Sequence, residues 1–182
     1  MRTLVLGGIR SGKSRWAEDA VTASLSPGGP ARYLATGPSA DGDPDWARRI
    51  ARHRDRRPAH WSTVESADVA DELRRFPDTP TLVDDLGGWL TRALDRHHAW
   101  DGDALPESAA EMIDDMLTAV GAFESMLVLV SPEVGLTVVP ATASGRRFAD
   151  ELGSLNQRVA AVCDRVVLVV AGQPVPIKPS GM

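Results

Sequence analysis

Residues 7–14 read Gly-Gly-Ile-Arg-Ser-Gly-Lys-Ser and follow a short apolar run, Thr3–Leu6. This is the pattern G-x-x-x-x-G-K-[ST], in which glycines let the backbone curl around phosphate oxygens with its N–H groups pointing inward. The helix that follows adds the positive end of its dipole to the same site. A chance glycine-rich turn is the alternative, and the position between a predicted strand and a predicted helix argues against it.

The eight residues of this pattern are predicted to bind the phosphates of a nucleoside triphosphate. They are Gly7, Gly8, Ile9, Arg10, Ser11, Gly12, Lys13 and Ser14. Within them, Lys13 is expected to act on the β- and γ-phosphates, and Ser14 is expected to offer its hydroxyl to Mg²⁺.

Short apolar runs alternate with helical patterns along the chain, which is typical of an α/β protein with a mainly parallel sheet. Strands are predicted at residues 3–6, 32–36, 61–64, 81–83, 126–130, 166–171 and 175–178. Helices are predicted from about 12 to 25, between 45 and 58, and at 66–76, 89–97, 107–123 and 148–162. Residues 131–145 are predicted to be a long irregular loop, a kind of loop that is usually functional or mobile. Residues 1–182 are predicted to form one domain, because no repeat or linker interrupts the pattern.

A nucleotide site of this kind usually needs a second carboxylate for the metal, at the end of a neighbouring strand. The run Thr81–Val83 closes on Asp84 and Asp85, so Asp84 is predicted to bind Mg²⁺, and Asp85 could accept a proton from an attacking hydroxyl. The alternative is that both aspartates are solvated and open the turn into the next helix, where acidic residues are also favoured.

An arginine-rich segment surrounds His53 in a chain that is otherwise acidic. Its arginines are Arg48, Arg49, Arg52, Arg54, Arg56 and Arg57, and only Asp55 opposes them. Such a patch suits phosphate groups, although a solvated helix face is the alternative. His53 shares the helix face of Trp46 and Ile50, so it is either a nucleophile for an α-phosphate or a core histidine with one hydrogen bond. Spacing alone does not separate these two roles, and His60, His97 and His98 are interpreted as structural.

The composition and charge of the chain argue against some classes of protein and favour one cellular compartment. The formal net charge of -5 argues against a general nucleic-acid binder. Cys163 is the single cysteine, so no internal disulfide can form, which fits a reducing compartment. We find neither a signal peptide nor an apolar stretch of the ~20 residues that span a bilayer. A cytoplasmic protein is therefore expected.

Several motifs together resemble the bifunctional adenosylcobinamide kinase/adenosylcobinamide-phosphate guanylyltransferase family of cobalamin biosynthesis. Besides residues 7–14 they are Tyr33-Leu34-Ala35-Thr36, Arg49–Arg54, Arg57–Trp61, Leu82-Val83-Asp84, Glu133-Val134-Gly135, Val139-Pro140, Arg147–Asp150, Gly153, Asn156-Gln157 and the final strands, Val166–Lys178. This ordered set covers nearly the whole chain.

The resemblance implies a three-layer, RecA-like P-loop α/β fold and two reactions. One is phosphorylation of adenosylcobinamide by GTP or ATP, and the other is transfer of GMP from GTP to the product through a guanylylated histidine. The nucleophile falls on His53 and the metal-binding acid on Asp84, while Arg54 and Glu65 join the nucleotide-binding set. The resemblance also implies a homotrimer.

Two positions depart from the family pattern. Arg52 stands where the family often has a first histidine, and Pro132 stands where an asparagine is usual before Glu133-Val134-Gly135. Arg52 leaves His53 intact, whereas Pro132 puts any polar contact at that position in doubt. Two other functions remain open: a plain small-molecule kinase, and a nucleotide-binding regulatory module.

Overall fold

The computed structural model describes residues 1–37, 48, 57–101 and 104–179. The helix predicted between Asp45 and Pro58, with His53, Arg54 and most of the arginine-rich segment, lies outside the described residues. The elements in chain order are β1 (Arg2–Gly7), α1 (Lys13–Ser24), β2 (Ala31–Ala35), β3 (Trp61–Glu65), α2 (Val69–Arg75), β4 (Thr81–Asp84), α3 (Leu86–Arg96), α4 (Glu107–Ala122), β5 (Leu127–Pro132), α5 (Ala143–Val162), β6 (Arg165–Val170) and β7 (Gln173–Lys178).

All seven predicted strands are present, each within two residues of the predicted bounds, but three helices start elsewhere than predicted. α5 starts five residues early because the hydroxyl of Thr142 caps it, accepting a hydrogen bond from the Gly145 N–H at 3.1 Å. α3 starts three residues early, at Leu86, with Asp85 as its cap. α2 starts late, at Val69. The long loop predicted at 131–145 is correspondingly shorter, since β5 runs to Pro132 and α5 begins at Ala143.

The seven strands form one sheet in the order β3-β2-β4-β5-β1-β6-β7. All neighbours run parallel except β6 and β7, which form an antiparallel hairpin. The expectation of a mainly parallel sheet is confirmed. The prediction that Asp84 ends a strand next to the strand of residues 7–14 was wrong. β4, which ends at Asp84, is separated from β1 by β5.

The central strands of the sheet are covered on both faces, and the alternation of side chains along these strands explains how. On β1, Leu4 faces one core cluster and Val5 faces the other, and β5 alternates in the same way. Among the described helices, α1 packs on the Val5 face through Ala17 and Val21, whereas α2, α3, α4 and α5 pack on the Leu4 face. These three layers confirm the predicted architecture, and strands buried on both faces account for the continuous apolar runs in the sequence.

Candidate functional site

The predicted nucleotide site lies at the carboxyl edge of the parallel strands, where open α/β sheets bind ligands. β1 ends at Gly7, β4 at Asp84, β3 at Glu65 and β5 at Pro132. Residues 8–12 connect β1 to α1, and Ser14 lies in the first turn of α1.

The backbone of the P-loop (residues 7–14) is bent in the way that phosphate binding requires. Arg10 and Gly12 have positive φ values of 57° and 96°, and the Ser11 N–H donates to the Gly8 carbonyl at 3.2 Å. A Cβ at Gly7 would lie 2.8 Å from the Val169 carbonyl oxygen, whereas one at Gly8 would meet nothing within 4 Å. Gly7 is therefore required by packing inside the protein, and Gly8 leaves its side open at the mouth of the loop.

The side chain of Lys13 folds towards the backbone of the same loop. Its side chain is buried, and its Nζ donates to the Gly8 carbonyl oxygen at 3.3 Å. A cation in this position faces the space that the loop encloses, which is where the sequence predicts the β- and γ-phosphates.

Two contacts that the sequence did not reveal support the loop from behind. The Gly172 N–H, in the turn between β6 and β7, donates to the Ser11 carbonyl at 2.8 Å. A Cβ at Gly12 would lie 3.2 Å from the Gly172 Cα, so the two backbones approach closely. On the other side, the Glu133 N–H donates to the Gly7 carbonyl at 3.1 Å. The only local signal was glycine at position 172, since the approach joins segments about 160 residues apart.

Asp84 is half-buried at the end of β4 and accepts a hydrogen bond from a tyrosine. The Tyr33 hydroxyl donates to Asp84 Oδ2 at 2.6 Å. Burial, followed by the charge and the hydrogen bond of Asp84, raises the pKa of Tyr33, so the phenol stays protonated as a donor. Tyr33 belongs to the motif Tyr33-Leu34-Ala35-Thr36, and the sequence alone indicates no separate role for it.

Asp85 is the N-cap of α3, where its Oδ1 accepts a hydrogen bond from the Gly88 N–H at 2.7 Å. It therefore opens the helix, as the structural alternative anticipated, but it is half-buried rather than solvated. Burial and then the charge of Asp84 raise its pKa, while the Gly88 N–H and the charge of Lys13 act in the opposite direction. The charge of Lys13 thus acts on Asp85, so these two side chains lie near each other at the carboxyl edge of the sheet.

Glu65 lies at the exposed end of β3, two strands away from β4. It borders an open cleft of about 520 Å³, whose other lining residues are Ser66, Ala67, Asp68, Arg92, Asp95 and Arg96. Three strands, β2, β4 and β5, therefore separate the strand of Glu65 from β1, the strand that leads into the P-loop.

Pro132 lies beside Gly7 in the sheet and keeps a polar contact through its backbone. The Asn156 side chain donates from Nδ2 to the Pro132 carbonyl at 3.0 Å, and its Oδ1 accepts from the Ser131 hydroxyl at 2.6 Å. The Pro132 ring also packs on α3, since a Cβ at Gly87 would lie 2.9 Å from its Cγ. The departure from the family pattern removes an amide side chain here but leaves the backbone acceptor in use.

Membrane-spanning helices and clusters of metal-binding side chains are both absent from the described residues. None of the helices among them combines the length and the apolar character needed to cross a membrane. The same part of the chain contains no group of three or more histidine, cysteine, aspartate or glutamate side chains arranged to hold a metal ion.

A family profile and several known proteins that are similar to the chain all indicate the same family. The profile of the family described as cobinamide kinase / cobinamide phosphate guanyltransferase matches residues 3–177. The chain is 42% identical, over 98% of both lengths, to the bifunctional adenosylcobalamin biosynthesis protein CobP of Pseudomonas aeruginosa. It is 37% and 36% identical to the bifunctional adenosylcobalamin biosynthesis proteins CobU of Salmonella typhimurium and Escherichia coli, over 98% of this chain and 100% of each relative.

Among solved structures, an ATPase from the type III secretion system of pathogenic bacteria is similar in fold. The TM-score is 0.54 at 11% sequence identity, over 92% of this chain and 50% of that one, so the chain spans half the length of this neighbour. The likeness shows a shared P-loop fold.

Proposed function

The chain belongs to the cobinamide kinase / cobinamide phosphate guanyltransferase family, and from that premise we propose how its residues carry out both reactions. The substrates are adenosylcobinamide and a nucleoside triphosphate in the first step, and adenosylcobinamide phosphate and GTP in the second. The observation that carries the proposal is the convergence of the P-loop, Lys13 and the pair Asp84–Asp85 at one edge of the sheet.

In the kinase step the P-loop binds the triphosphate and Lys13 neutralises charge that develops on the γ-phosphoryl group. The substrate hydroxyl oxygen bonds to the γ-phosphorus while the bond to the β,γ-bridging oxygen breaks. Asp85 accepts the hydroxyl proton, a role that its raised pKa favours because such a carboxylate is a stronger base.

The residues present fit a Mg²⁺ site. Mg²⁺ in kinases is usually held by one or two carboxylates or hydroxyls together with substrate phosphates and water. Asp84 supplies a carboxylate at the end of β4, and Ser14 supplies a hydroxyl in the first turn after the P-loop. When bound there, the ion would neutralise phosphate charge and help to orient the substrate.

In the transferase step His53 is the nucleophile, Arg54 binds nucleotide phosphate and Glu65 binds the same nucleotide. The His53 ring nitrogen bonds to the α-phosphorus of GTP and the bond to the α,β-bridging oxygen breaks, which releases pyrophosphate. A phosphate oxygen of adenosylcobinamide phosphate then displaces the histidine and yields adenosylcobinamide-GDP. The family motif around His53 supports this assignment.

A labelling experiment tests the transferase step. Incubation with α-³²P-labelled GTP and Mg²⁺ is expected to give a base-stable, acid-labile label on the wild-type protein. His53→Ala should lose the label, and His60→Ala should keep it because His60 lies exposed in the turn before β3. An unlabelled but folded wild-type protein would refute the transferase step and leave a plain kinase, whose product from GTP carries no nucleotide. Tight GTP binding without turnover of any cobinamide would instead indicate a regulatory module.

We also place the enzyme in the cytoplasm as a homotrimer. The single cysteine supports a reducing compartment. Exposed apolar side chains on β7 and on the loop after β5, including Val175, Ile177, Leu136, Val138 and Val139, support self-association.

A further inference from the structure

We propose that Tyr33 is a positioning residue that orients the Asp84 carboxylate for the bound metal–nucleotide complex. The inference rests on the proposed role of Asp84 as a metal ligand. It gives a function to a residue on β2 that reaches the site only through Asp84.

Strand register brings the two side chains together. β2 lies between β3 and β4, and Tyr33 is the register partner of Thr63 on one side and of Leu82 on the other. Side chains two residues apart on a strand share a face, so Asp84 lies on the same face of the sheet as Leu82. This is also the face that α1 covers, and α1 carries Ser14 in its first turn.

The hydroxyl of Tyr33 links this residue to Asp84, the proposed metal ligand. The ring is 4% exposed and belongs to the same core cluster as Leu82 and Trp61, so its apolar body is explained by packing. A buried hydroxyl needs a partner, and here the partner is Asp84 Oδ2 at 2.6 Å. Such a short bond to a charged acceptor is strong and fixes the rotation of the carboxylate about its Cβ–Cγ bond.

The Arg57 side chain packs on the Tyr33 ring and is itself anchored by Thr63. The Arg57 guanidinium lies 3.8 Å from the centre of the Tyr33 ring, which is a cation–π contact. Its Nη1 donates to the Thr63 hydroxyl at 2.8 Å. The ring therefore packs between the core and an anchored cation. This packing restricts its orientation, so its hydroxyl points in one direction.

The first test removes the hydroxyl alone. Binding of Mn²⁺ in the presence of the β,γ-imido analogue of GTP is measured by electron paramagnetic resonance. Tyr33→Phe is expected to weaken Mn²⁺ binding about 10-fold, the usual size of the effect when an outer partner of a ligand is lost. Thr81→Val is the matched control, because its hydroxyl lies at the opposite end of β4 and bonds to the Thr79 carbonyl. Mn²⁺ binding by Tyr33→Phe that equals the control would overturn the inference.

A double-mutant cycle separates this inference from the proposed metal role. Asp84→Asn should weaken Mn²⁺ binding, and adding Tyr33→Phe to it should have no further effect, because Tyr33 acts through Asp84. If Asp84→Asn binds Mn²⁺ normally, then the metal role of Asp84 is wrong and the Tyr33 inference falls with it. If only Asp84→Asn weakens binding, then the metal role stands and the Tyr33 inference is wrong.

A spectroscopic measurement keeps the inference testable should Tyr33→Phe fail to fold. Tyr33 is the only tyrosine in the chain, so the tyrosine Fermi doublet in the ultraviolet resonance Raman spectrum reports its hydroxyl alone. The wild-type protein should show a strong hydrogen-bond donor that weakens in Asp84→Asn and that responds to Mn²⁺ with the nucleotide analogue. A doublet that is the same in all three samples contradicts the inference.

Discussion

Lys13 is a buried cation within the P-loop. Its Nζ is tied to the Gly8 carbonyl and its charge acts on the pKa of Asp85. The P-loop pattern predicts a phosphate-binding role for Lys13, because the spacing of the glycines and the lysine is itself the geometric requirement. Tyr33 could not be found in this way, since a tyrosine in an apolar strand has the same pattern whether its hydroxyl donates to a backbone carbonyl or to a carboxylate such as Asp84.

Replacing Lys13 by methionine should abolish most of the kinase activity. The change keeps the length of the side chain and removes the cation, so phosphorylation of adenosylcobinamide is expected to fall by about 100-fold or more. The chain has only one other lysine, Lys178, whose Nζ bonds to carbonyls at the end of α5, including that of Cys163 at 2.6 Å. Lys178→Met is thus a matched control that should keep its activity while losing some stability. Equal activity of the two variants would contradict the assigned role of Lys13.

At the scale of elements, the ends of strands and helices are fixed by polar contacts that join distant parts of the chain. Asp164, just before β6, accepts hydrogen bonds from the backbone N–H of Arg2 at 2.7 Å and from its guanidinium. These contacts align β1 with β6 and so place the P-loop against the turn at Gly172. The central strands were predictable because burial on both faces leaves apolar runs. The starts of α3 and α5 depended instead on caps, Asp85 and Thr142, that lie outside the apolar period.

The Arg2–Asp164 pair predicts a pH dependence of stability. The hydrogen bonds from Arg2, first from its side chain and then from its backbone, lower the pKa of Asp164 to about 2. A carboxylate with a lowered pKa in the folded state stabilises the protein above its unfolded pKa of about 3.9, and this contribution is lost as the pH falls towards 2. Because the side chain of Asp164 is 37% exposed, solvent screening reduces the effect, and Asp164→Asn should cost about 1 kcal/mol at pH 7.

Urea unfolding at pH 7 and at pH 2.5 measures this contribution. The difference between wild type and Asp164→Asn should be present at pH 7 and much smaller at pH 2.5. Asp19→Asn is the control, because Asp19 forms an exposed pair with Arg15 within α1 and should change little at either pH. A difference that stays constant over this pH range would show that Asp164 does not act through its charge.

At the scale of the whole molecule, the sheet combines two kinds of surface. Its central strands are covered on both faces, and its last strand, β7, is exposed along its whole length. Val175 and Ile177 of that strand are 45% and 57% exposed. Exposed apolar side chains that lie close together often mark a surface that contacts another protein.

Self-association of the chain into a trimer is the prediction at this scale. Sedimentation equilibrium of the wild-type protein should give about three times the chain mass of 19.5 kDa. Association buries apolar surface that a monomer leaves in water, so it should persist at micromolar concentration. A mass of one chain at that concentration would contradict the trimer, and a mass of two would replace it with a dimer.

The sequence by itself determined the P-loop, the α/β alternation, the seven strands and the family, because each depends on local spacing or on burial that leaves a mark in the residue pattern. The tertiary structure alone decided that β5 separates the P-loop strand from the strand of Asp84, that Gly172 supports Ser11, and that Tyr33 bonds to Asp84. These three features depend on which strands become neighbours. Strand order is set by the packing of whole elements, and no short segment of the chain records it.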